Sequence, residues 1–113
     1  MRQQRQEHRS LCADLVQVGW KLEDESKHTE WATLEDISSR GACVKLDEPI
    51  PPGTLVSLRF PKGGCVARIK YCVADHTGGH LLGVLFENGY RWSRTKYKPE
   101  HLVQFRLRPV SRK

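Results

Sequence analysis

The chain has no hydrophobic run long enough to cross a bilayer. Its opening residues, Met1-Arg2-Gln3-Gln4-Arg5, are basic and lack the apolar stretch of a signal peptide. A cytoplasmic protein is therefore expected. Cysteine is scarce: Cys12, Cys43, Cys65 and Cys72 form no CxxC pair, which argues against a disulfide framework in a reducing compartment. Adding His76 and His80 produces no common zinc-finger spacing, so no metal site is expected. Acid pairs, a glycine-rich phosphate loop and a nucleophile motif are also missing, so an enzyme is not expected. Asp36, Ser38 and the five histidines do not stand at triad-like spacings. No long stretch repeats its apolar residues with a period of 3.6, which excludes a parallel sheet built from βαβ units.

What is present is basic charge and short alternating runs. The 113 residues make one domain. Nineteen Lys and Arg against thirteen Asp and Glu leave a net charge of +6. That balance suits anionic partners: nucleotides, nucleic acid or an acidic protein face.

Six strands are predicted. The first covers residues 11–20, where apolar side chains fall at both parities and the buried face stays open. Residues 21–28 form a charged loop, and 29–34 a second strand rich in Thr, Trp and Leu. Ala42, Val44 and Leu46 share one face of a third, and Val56, Leu58 and Phe60 one face of a fourth. Cys65, Ala67, Ile69, Tyr71 and Val73 make the longest alternating series, with Arg68 and Lys70 outward. Leu82, Val84 and Phe86 end the pattern. Prolines and glycines break the chain between these runs, at Pro49 to Gly53, at Pro61 to Gly64 and around Gly79. Six short strands with such regular breaks favour antiparallel pairing, and a chain this small hides its edges best by closing into a barrel.

Two motifs flank this pattern. Arg5-Gln6-Glu7-His8-Arg9 is an RxxxR pair just before the first strand. Asp36-Ile37-Ser38-Ser39-Arg40-Gly41 is a DxSxxG stretch after the second, with the composition of a tight polar turn. In this order and separation they resemble the PilZ domain family of bacterial cyclic di-GMP receptors. Pro51-Pro52-Gly53-Thr54 ahead of a strand, and the strand Leu82-Gly83-Val84-Leu85-Phe86-Glu87, add to the resemblance, which covers roughly residues 1–88. It implies a mainly β fold: a six-stranded antiparallel PilZ-type barrel over 11–88, preceded by a flexible arginine-bearing arm over 1–10. A basic extension over 89–113, forming a short helix or an added strand, would complete the chain.

The resemblance also assigns roles. Arg5 and Arg9 would grip phosphate and guanine, Asp36 would accept from guanine N–H groups, and Ser38 would hydrogen-bond at the ligand. Gly41 would keep the backbone clear of it, and Arg2 and Arg40 are candidates for added phosphate contacts. The residue types suit the task, because a guanidinium is planar, permanently charged and able to bond phosphate or a guanine edge in pairs. The implied function is a non-catalytic cyclic di-GMP receptor whose arm orders on binding and which then contacts a separate effector protein, with no cofactor. An adaptor that works by protein contacts alone is the alternative. A further one is a small barrel that binds single-stranded nucleic acid through Trp92 and Tyr97 on the basic tail. For those aromatics, packing against the barrel is the preferred expectation.

Overall fold

The computed structural model describes residues 10–93, 95–97 and 103–104, the side chains of 10–12 and 103–104 excepted. Seven strands follow one another: β1 (Ser10–Lys21), β2 (Lys27–Ile37), β3 (Gly41–Leu46), β4 (Leu55–Arg59), β5 (Gly64–Ala74), β6 (His80–Phe86) and β7 (Val103–Gln104). Every pairing is antiparallel. The order runs β2, β3, β6, β5, β4, β1, and β1 pairs back onto β2, so six strands close into a barrel. β7 lies outside the ring as a short addition to the start of β1. Among the described residues there is no helix, and hence none long and apolar enough to cross a membrane. Of the two forms expected for the tail, an added strand is seen at Val103–Gln104 among the described residues.

Alternation explains the core. Val16 and Val18 of β1 point inward, as do Leu34 of β2, Val44 of β3, Leu58 of β4 and Leu82 of β6. Burying one such side chain is worth roughly 1.5–3 kcal/mol, and this apolar filling is what holds the strands in register. For β1 the inward parity is Asp14, Val16, Val18 and Trp20, which leaves Leu15 on the outer surface. A pairing irregularity between Leu11 and Asp14 precedes this regular stretch.

Two expectations need correction. Tyr71 and Val73 do not continue the inward series of Ala67 and Ile69; they are 42% and 49% exposed. Ile69 pairs with Val84 and Tyr71 with Gly83, so Lys70 is an extra residue in β5. One extra residue shifts the pleat by one, and Cys72 turns toward the core instead. The second correction concerns length. β1 and β2 extend as a hairpin beyond residues 20 and 29, so the charged loop shrinks to the link between Lys21 and Lys27.

The tail aromatics are structural. Trp92 and Tyr97 are buried, and the Tyr97 ring stacks on Phe60 with centroids 4.8 Å apart. The Trp92 indole N–H donates to the Tyr97 carbonyl at 2.7 Å, and the Tyr97 hydroxyl donates to Asp14 Oδ2 at 2.9 Å. Asp14 occupies an inward position and is 7% exposed, so this bond answers a carboxylate that would otherwise be costly to bury. Both rings are thereby withdrawn from the surface, where stacking on bases would need them. Nearby, Cys65 and Tyr90 pack against the core edge. Burial pushes the Cys65 thiol up to about 11, with the Lys96 ammonium pulling the other way.

Tyr97→Phe keeps the ring on Phe60 but removes the donor to Asp14. A loss of about 1–3 kcal/mol in urea unfolding is expected, because the cost falls on the polar group left behind. Cys65 should resist iodoacetamide at pH 9 by on the order of ten-fold or more relative to the urea-unfolded chain, since the thiolate is the nucleophile. A folded value above the ordinary 9.0 means that this group's contribution to stability is complete below about 9 and is lost as pH rises toward about 11.

Candidate functional site

The DxSxxG stretch is part strand and part turn. Asp36 and Ile37 belong to β2, so the turn proper is Ser38-Ser39-Arg40. Asp36 lies opposite Leu11 of β1 and Cys43 of β3, and between Leu34 and Asp36 the pairing with β3 slips by one residue at Glu35. That bulge sets the parity: Ile37 fills the core and Asp36 takes the outer face, half-buried.

Backbone bonds fix the turn from three directions. Ser38 N–H donates to the Gly41 carbonyl at 2.8 Å, and the Ser38 hydroxyl donates to the same oxygen at 3.3 Å. Phe86 N–H donates to the Arg40 carbonyl, and Trp92 N–H donates to the Ser39 carbonyl, each at 2.9 Å. Ser38 is 2% exposed, so its hydroxyl is spent on local geometry. Arg40 reaches solvent.

Gly41 has a reason the sequence did not reveal. Its φ is not among the positive ones, so torsion does not require glycine there. An added Cβ would instead run into the carbonyl oxygen of Val84 in β6. The residue allows β3 and β6 to approach closely behind the turn.

Beside the turn lies an outer surface that sequence reasoning missed. Register carries Asp36 to Cys43, Cys43 to Gly83, and Gly83 to Tyr71, across β2, β3, β6 and β5. At an inter-strand spacing near 4.8 Å this row spans about 14 Å. The Tyr71 ring covers Gly83, where a side chain would collide with it, and its hydroxyl reaches Cys43 Sγ at 4.0 Å. The row offers a carboxylate at one end and an aromatic face at the other. The only signal would have been the extra residue at Lys70, which a single sequence does not mark.

Of the predicted site residues, the structure brings Asp36, Ser38, Arg40 and Gly41 together. Arg2, Arg5 and Arg9 lie outside the described residues. The strand that follows them does not: Ser10 pairs with Ile37, and Leu11 with Asp36. Arg9 is thus one residue from a position fixed against the motif.

A family model for the PilZ domain matches residues 3–108. The chain belongs to the PilZ domain family. Among solved structures, this PilZ domain is similar to the "PilZ domain with c-di-GMP of YcgR from Escherichia coli". The TM-score is 0.53 at 21% identity, over 76% of this chain and 79% of that one. At that identity the likeness speaks for a shared PilZ fold. No curated protein sequence matches the chain.

Gly41→Ala should test the role assigned to this glycine in the PilZ barrel. Overpacking against β6 backbone is expected to cost about 1–3 kcal/mol of stability. Denaturant titration measures it, and a neutral result would mean that the β3–β6 contact is loose.

Proposed function

We propose that this PilZ domain is a non-catalytic receptor for cyclic di-GMP. Arg5 and Arg9 grip phosphate and guanine from the arm, while Asp36 accepts from guanine N–H groups on the barrel face. Arg2 and Arg40 add charge at the phosphates. Ser38 and Gly41 act behind the ligand: the first holds the turn, and the second seats it against β6. Ser38 has committed its proton to the Gly41 carbonyl, so it could meet a ligand only as an acceptor. Tyr71 supplies an aromatic face on the same surface.

One observation carries this reading. β1 begins opposite Ile37 and Asp36, so the chain is fixed beside the DxSxxG turn one residue after Arg9. In this reading the two motifs, separated in sequence, meet on one surface, where guanidinium groups and a carboxylate close on one ligand. Membership of the PilZ domain family and the cyclic di-GMP named with the similar solved domain support the same ligand class.

Output follows from ordering. An arm over residues 1–10 that settles on the ligand loses conformational freedom, and the ligand contacts must exceed that cost. The settled arm is a new surface for a separate effector protein. Trp92 is bonded to Ser39, so the start of the basic extension is in contact with the turn.

Calorimetric titration with cyclic di-GMP is expected to give saturable binding. Arg9→Ala and Asp36→Ala should each weaken it ten-fold or more, at least about 1.4 kcal/mol, with circular dichroism unchanged. No heat at high micromolar ligand would remove the receptor reading, and full affinity in both variants would move the site elsewhere.

A further inference from the structure

The far end of the β1–β2 hairpin carries polar groups where the barrel pattern calls for apolar ones. Glu30 pairs with Val18 and His28 with Trp20, and both partners are core residues. Directly paired residues face the same side of a sheet, so His28 and Glu30 take the inward parity at the barrel mouth. They are about 26 Å and 20 Å along β2 from Asp36, at 3.3 Å per residue. The link between β3 and β4 passes over this mouth and brings Glu48 to the same place, two residues before the fully buried Ile50.

Three donor atoms converge. His28 Nε2 lies 2.7 Å from Glu30 Oε2 and 3.7 Å from Glu48 Oε1, and one donor atom from each of the three residues falls within 4.8 Å of the other two. Metal–donor bonds of about 2.0–2.2 Å in a tetrahedral site put donors about 3.4 Å apart, which lies inside this spread. The imidazole is oriented from outside the group by the Trp20 ring, edge-on at 5.0 Å and 68°. Charge sharpens the point. The chain carries nineteen Lys and Arg, yet among the described residues neither Glu30 nor Glu48 has a Lys or Arg within ion-pair distance. Two carboxylates instead share one imidazole, an arrangement that a divalent cation would balance.

We propose that His28, Glu30 and Glu48 form a binding site for a divalent first-row transition metal, with water completing the coordination. One nitrogen and two carboxylate oxygens suit zinc, cobalt or manganese better than calcium, which prefers six to eight oxygens. The metal would pin the proline-rich β3–β4 link to the β1–β2 hairpin and close the barrel end away from the DxSxxG turn. The site is independent of the cyclic di-GMP reading, and its test contains no nucleotide.

The full chain is titrated with zinc chloride in the calorimeter, and its visible spectrum is recorded with cobalt(II). One zinc per chain and a cobalt absorption band of low-coordinate type are expected. His28→Gln and Glu48→Gln should each weaken zinc binding ten-fold or more while circular dichroism stays that of the parent. The parent alone should gain thermal stability with zinc, because a ligand of the folded state raises it in proportion to occupancy. No saturable heat up to about 1 mM zinc, a regime of only about 4 kcal/mol, would overturn the proposal. Equal binding by both variants would overturn it as well, since the thiols or His76 would then be the ligands.

Discussion

Within the ring β1 pairs with two neighbours, and the barrel depends on the shorter of the two ladders. Along one edge it pairs with β2 for nearly its whole length. Along the other it meets β4 across only three residue pairs, Gln17 with Arg59, Val18 with Leu58, and Gly19 with Ser57. That brief ladder turns a curled sheet into a ring and removes the exposed edges that would invite aggregation. It also anchors β1, and with β1 the point at which the chain enters the fold. The hairpin ladder with β2 then sets Ser10 beside Ile37.

The DxSxxG turn inherits its rigidity from the same framework. Three consecutive carbonyls, those of Ser39, Arg40 and Gly41, each accept a backbone N–H, from Trp92, Phe86 and Ser38 respectively. Those donors come from the tail, from β6 and from the turn itself. A loop so held contributes little flexibility of its own, so an incoming ligand meets a preformed edge on the barrel side. Preorganisation of this kind keeps the ordering cost on the barrel side of any binding event low.

Much of this was readable in the sequence. Alternation located β4 and β6 to within a residue or two, because Val56, Leu58, Leu82 and Val84 keep a strict period of two on a half-buried sheet. The breaks at Pro61 and Gly79 fell where chemistry demands turns. Bulges were not readable. The extra residue at Lys70 leaves no mark in composition, yet it reverses every side chain after it and brings Tyr71 to the outer face. The slip at Glu35 likewise drew Asp36 into a strand although its residue type suits a turn. The purpose of Gly41 depended on β6, more than forty residues away, and no local pattern encodes such a neighbour. The tail was the hardest stretch, because Trp92 and Tyr97 are fixed by Ser39, Asp14 and Phe60, partners that only the closed barrel assembles.

The pairing of Gln104 with Ser10 has a topological meaning. The two described extremities of the chain face each other across one rung of a ladder, at a single corner of the molecule. A module that begins and ends at neighbouring points can be spliced into a longer polypeptide without stretching its host. It can equally be reopened at a distant hairpin, such as the one after Ala74, and rejoined through its former ends.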